Sequence, residues 1–115
     1  MTQPCLPFDR EVGERFEQFH ADNPIVYTTL VRLAREWKEK FGRDAKVGLA
    51  ALRETARWEI AFATSDTDFK INNNYTPFYA RLIMIENPDL AGLFDLRYSE
   101  ADQWIQNYRP PAVAS

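Results

Sequence analysis

Residues 23–42 read NPIVYTTLVRLAREWKEKFG, and the spacing of their apolar side chains settles the fold class. Val26, Leu30, Leu33, Ala34, Trp37 and Phe41 share one side of a 3.6-residue turn, while Arg32, Arg35, Glu36, Lys38, Glu39 and Lys40 fall elsewhere. Pro24 occupies the first helical position, where a missing N–H costs nothing, and Asn23 is a residue type that caps a helix start. Gly42 follows where a left-handed C-terminal residue is wanted, after Lys38 and Lys40 have complemented the negative end of the helix dipole. A helix over 24–41 is therefore predicted.

The same punctuation recurs on both sides. Asp9 is positioned to cap a first helix whose Val12, Phe16 and Phe19 make one stripe to about Ala21, and Asn23-Pro24 ends it. A third helix is expected over 45–62. It carries Leu49, Leu52, Ala56, Ile60 and Ala63 on one face and Ala51, Thr55, Trp58 and Phe62 on an adjoining one. Such a helix should be packed on two sides, with only Arg53, Glu54 and Arg57 left for solvent. Phe69-Lys70-Ile71 reads as a very short strand, and Asn72-Asn73-Asn74 as a sharp loop. Thr76-Pro77 then opens a fourth helix to about Glu86, with Phe78, Leu82 and Ile85 in a stripe. Asn87-Pro88 ends it and opens a short fifth helix over 88–94. Leu96-Arg97-Tyr98 suggests a second short strand, and Ser99 to Asp102 has capping-box spacing before a last helix through Trp104, Ile105 and Tyr108. The predicted fold is mainly α, a compact single domain of about six helices with room for a short two-stranded β element.

Composition agrees with one helical domain. The chain has 115 residues, 45% of them hydrophobic and 14% aromatic, enough large apolar surface for a single core. We expect the domain to cover 9–109 between a flexible leader, 1–8, and a flexible tail, 110–115. No apolar run approaches the ~20 residues that span a bilayer, and MTQPCLPFDR lacks the basic and apolar regions of a signal peptide. A cytoplasmic location with no membrane partner is the expectation. The single cysteine, Cys5, and single histidine, His20, give neither an internal disulfide nor a Cys/His zinc set. Neither a calcium-type acidic loop nor a His-Glu-x-x-His motif occurs, so no metal or cofactor is expected.

The order over 69–98, short strand, helix, Asn-Pro turn, helix, short strand, is similar to that of a winged helix-turn-helix. The C-terminal half is expected to be winged-helix-like on that basis. The second helix departs from a DNA-reading one: 88–94 holds no Arg, Lys, Asn or Gln, and Asp89 would repel phosphate. Independently, KINNNYTPFYARLIM at 70–84 resembles a segment of small bacteriophage and bacterial proteins, with LRETARW at 52–58 and Asn23 to Tyr27 as weaker supports. That resemblance covers about two thirds of the chain. It implies a phage-type or bacterial origin and a compact helical fold, and it brings no activity or catalytic residue.

Charge supplies the functional candidates. Residues 32–57 hold eight cations, Arg32, Arg35, Lys38, Lys40, Arg43, Lys46, Arg53 and Arg57, against four carboxylates, although the whole chain carries −3. If Arg32, Arg35 and Lys38 share a side with Arg53, Arg57 and Trp58, the result is a cationic groove edged by an indole, suited to nucleic acid. Equally, Arg53 and Arg57 only pair with Glu54 and Glu36 on a solvated face. Asn72, Asn73, Asn74, Tyr75, Tyr79 and Arg81 either cradle a phosphate or base edge at a helix start, or merely shape a loop. His20 with Glu17 either does acid-base work or helps the end of the first helix dipole. Ser65 and Ser99 have no linked histidine, so nucleophilic catalysis has no support. The expectation is a non-catalytic binding module, a small phage-type nucleic-acid-binding accessory or regulatory protein. The alternative is a protein-interaction adaptor or an inhibitor of a host or partner protein, with a homodimer within its scope.

Overall fold

Helix punctuation of the kind just read organises the computed structural model, which describes residues 7–108 of the chain, with side chains from Val12 onward. Five helices run α1 (Pro7–Asp22), α2 (Pro24–Phe41), α3 (Leu49–Thr64), α4 (Thr76–Glu86) and α5 (Glu100–Asn107). Single 3-10 turns, Asn73–Tyr75 and Pro88–Leu90, precede and follow α4. The helix α1 starts at Pro7, so Asp9 lies inside it rather than at its cap. The expected tail, 110–115, and residues 1–6 of the expected leader, 1–8, lie outside the described residues, while Pro7 and Phe8 belong to α1.

Both Asn-Pro pairs work backwards. Asn23 makes no side-chain cap for α2; its backbone N–H and its side-chain amide both donate to Phe19 O, at 2.9 and 3.0 Å. Asn87 does the same to Ile83 O, at 2.9 Å from each nitrogen. Each asparagine thus closes the helix before it, satisfying an orphan carbonyl, while the proline that follows needs no N–H partner. Thr76 likewise lies inside α4, and its hydroxyl accepts from Arg53 Nη1 at 3.0 Å. The Ser99 capping box forms in both directions: Ser99 Oγ accepts from Ala101 N, and Asp102 accepts from Ser99 N. Gly42 takes its positive φ of 98° and donates to Lys38 O.

The core is built around α4. Its residues Phe78 to Ile83 are all buried, so this helix is covered on every side by its neighbours. Phe16 of α1 meets Phe78, Tyr79 and Trp104 with ring centroids 5.4, 4.7 and 5.1 Å away. That close approach of α1 to α5 needs Gly13, where a Cβ would sit 3.0 Å from Trp104 Cδ1. Arg81 fastens α5 to α4: its guanidinium donates to both Asp102 oxygens (2.9 and 3.2 Å), to Pro77 O and to Arg97 O.

Four expectations are corrected. No strand forms among the described residues, so the two-stranded element is absent there. Its backbone groups find other partners: Arg97 O accepts from Arg81, and Phe69 N–H donates to Asp66 O at 3.2 Å. Segment 96–98 also presents no buried side, with Tyr98 91% exposed. The short helix over 88–94 is only the turn Pro88–Leu90, because Gly92 has a φ of 84° that no helix continues through. The strands and second helix of a winged-helix order are therefore not formed. Finally, α3 begins at Leu49, since 45–48 is drawn out against 92–95 by Val47 N–H and by Lys46 Nζ on Gly92 O.

Candidate interaction surface

The basic residues of the middle segment lie on two different flanks. Arg32 donates to Glu36 at 2.8 Å and also pairs with Glu59 across the α2–α3 seam. Arg35 grips Asp89 through two bonds, 2.9 and 3.2 Å, and also reaches Asn87 Oδ1, while Lys38 donates to Asp89 O. On the far flank of α3, Arg53 donates to Thr76 and Glu54, and Arg57 to Glu54 at 3.2 Å. The Arg35 hydrogen bond holds the Asp89 carboxyl below its ordinary range, and the Arg57 hydrogen bond does the same for Glu54. Exposed pairs of this kind contribute only ~0.2–1 kcal/mol, so pairing alone does not bar a phosphate. Separation is the stronger objection: the buried strip Leu52, Ala56 and Ile60 divides the two groups, and Glu59 faces α2 where Arg53 faces α4. A shallow groove of about 480 Å³ does run along α2 past Arg32 and Arg35, but Glu36 and Glu39 line it too.

The Asn-rich loop is occupied with itself and with the core. Asn72 Oδ1 accepts from Asn74 N at 2.8 Å, an Asx turn that sets up the following 3-10 turn. Asn73 and Asn74 are exposed, whereas Tyr75 is half-buried against Phe16 and Phe19. Tyr79 and Arg81 are buried, at 1% and 6% exposure, and Arg81, although it borders a cavity of about 310 Å³, spends its guanidinium on Asp102, Pro77 O and Arg97 O. The expected cradle is not assembled.

His20 is not paired with Glu17, whose carboxylate accepts from Trp104 Nε1 at 2.6 Å. The imidazole lies parallel to Phe16 at 5.8 Å and edge-on to Tyr27. Burial lowers its pKa, opposed by the nearby Glu86 charge, so it favours the neutral form rather than serving as a cation at the end of α1. Beside it, Tyr27 donates to Glu86 at 2.7 Å and accepts from Asn87 at 2.9 Å, tying α2 to the end of α4. Among the described residues no cluster of three His, Cys, Asp or Glu could hold a metal ion, and no helix is long and apolar enough to cross a membrane.

What the surface does offer is apolar. Ala51, Thr55, Trp58 and Phe62 all lie on the side of α3 opposite its buried strip, and all four are exposed. The expectation that this face packs inside the chain is thus overturned. Trp58 is 59% and Phe62 72% exposed, and their rings meet edge to face at 4.4 Å. Other large apolar side chains are exposed, among them Ile25, Phe41 and Ile85, but Trp58 and Phe62 are the pair in mutual ring contact. The sequence did mark these residues as a second apolar face; it could not say that no element among the described residues would cover it. No family model, curated protein or solved structure matches the chain.

Proposed function

We propose that the chain is a non-catalytic protein-interaction module that docks a partner protein through the exposed side of α3. The observation that carries it is the Trp58–Phe62 pair, in mutual ring contact and exposed on the side of α3 away from the core. Covering a large apolar side chain is worth about 1.5–3 kcal/mol relative to leaving it in water, so a partner that seals both rings gains substantially. Tryptophan in particular is enriched where a few residues dominate an interface. Glu54 and Glu59 flank the stripe with their charges answered by Arg53, Arg57 and Arg32, which gives it a polar rim. An adaptor or host-protein inhibitor of the small phage type fits this surface better than a nucleic-acid binder, whose cations would have to converge.

A photo-reactive residue placed at Trp58 or Phe62 in cells, with Glu39 as an exposed control, tests the proposal. Protein adducts are expected at 58 and 62 and not at 39. In parallel, mixed-sequence duplex and single-stranded oligonucleotides should show no salt-sensitive binding. No adduct at either aromatic position, or oligonucleotide binding that weakens steeply as salt rises, would return the nucleic-acid alternative.

A further inference from the structure

The order of residues along the exposed stripe identifies an occupant. Ala51, Thr55, Trp58 and Phe62 are spaced by four, three and four, the seam spacing by which two helices interlock. That spacing is the same read in either direction. Two copies laid antiparallel about a two-fold axis between Thr55 and Trp58 bring Ala51 opposite Phe62 of the other copy, and Thr55 opposite Trp58. Every ring then faces a small side chain. A parallel pair would instead set Trp58 on Trp58 and Phe62 on Phe62 and leave gaps at the small positions. We propose that this side of α3 binds the same side of a second copy of the chain in that antiparallel register.

Charge does not oppose the arrangement. At 100° per residue Glu54 lies on one edge of the stripe and Glu59 on the other. Reversal brings Glu54 toward the edge carrying Arg57 and Ala61 of the other copy, and Glu59 toward Leu52. No like charges meet, and both carboxylates already have guanidinium partners in their own chain. Area limits the strength. Aromatic side chains carry about 150–250 Å² each, so the two rings at 59% and 72% exposure offer about 250 Å² per copy. A standard interface covers about 800 Å² per partner, so the pairing is weak and depends on concentration. The homodimer rests on α3 being the docking face, and another protein partner competes with it for the same residues.

Sedimentation equilibrium of the full chain, from roughly 10 µM to 1 mM, spans the dissociation constants such an area supports. The mass should climb from 13.4 kDa toward twice that value. Phe62→Glu should abolish the rise, with far-UV circular dichroism unchanged because the side chain is exposed. Ala51→Phe adds apolar surface yet sets ring against ring, so it should weaken pairing about tenfold. Should it strengthen pairing, the patch is merely sticky and the register is wrong. A chain that stays at 13.4 kDa at the highest concentration overturns the homodimer while leaving any adducts to other proteins at 58 and 62 intact. Loss of those adducts instead removes the docking face itself.

Discussion

Gly13 shows what a single residue decides in this fold. Its missing side chain is what lets the Trp104 ring lie against α1, and Phe78 Cε2 stands 3.7 Å from the same point. Gly13→Leu should therefore destabilise by about 1–3 kcal/mol despite the better helix propensity of leucine, read from urea unfolding. Unchanged stability would mean that Trp104 moves aside freely. His20 makes a second residue-scale prediction, through pH. Burial lowers its pKa from 6.5, so as pH falls below 6.5 the unfolded chain takes up a proton before the folded one does. Stability should fall on going from pH 7 to 5 and level off once the folded state also binds the proton. Two measurements check this: an NMR titration midpoint below 6.5, and a flatter Tm profile in His20→Phe, which keeps a ring beside Phe16. A midpoint at or above 6.5 would contradict the burial argument. Neither effect was legible in the sequence, because the Trp104 ring that meets Gly13 comes from a segment 91 residues on and the burial of His20 depends on Tyr27 and Tyr79 of other helices.

Among the elements, α5 depends most on devices outside its own hydrophobic face. It has only eight residues, too few to be stable alone, and it is held by its cap and by Arg81. Ser99→Ala removes half of the capping box and should cost ~1 kcal/mol. Arg81→Met leaves Asp102 and the carbonyls of Pro77 and Arg97 without their donor. Because the Asp102 side chain is 36% exposed, water partly replaces the lost partner, and the cost should be roughly 2 kcal/mol rather than the larger figure of a fully buried pair. Arg81→Lys should recover less than half, since a point-charged ammonium cannot reach a carboxylate and two carbonyls together. Full recovery by lysine would show that charge, not the forked geometry, holds α5. The capping box was readable from Ser99 and Asp102 because its partners are three residues apart. The Arg81 clasp was not, because it joins residues 16 and 21 positions apart.

At the scale of the molecule, one core joins all the helices through α4, and that predicts cooperative unfolding. Phe16→Ala should cost about 3–5 kcal/mol, and near- and far-UV signals should still melt together in a single transition. Separate transitions would show that α2 and α3 persist when the α1–α4–α5 side is lost. Phe41 and Ile85, expected in the core stripes of α2 and α4, are exposed, but the sequence by itself determined the helical class, the limits of α2 within a residue, the stripe of α1, that of α2 through Trp37, and the cap of α5. Each of these depends on side chains within about one or two helical turns of one another, where spacing is geometry. The tertiary structure alone decided that the Asn-Pro asparagines close the helix behind them, that Phe69 to Ile71 and Leu96 to Tyr98 have no strand partner, and that the cations divide between two flanks. It also left the Trp58–Phe62 side of α3 uncovered. Those outcomes depend on which distant segments meet, and a local pattern marks a face as apolar without naming what will cover it.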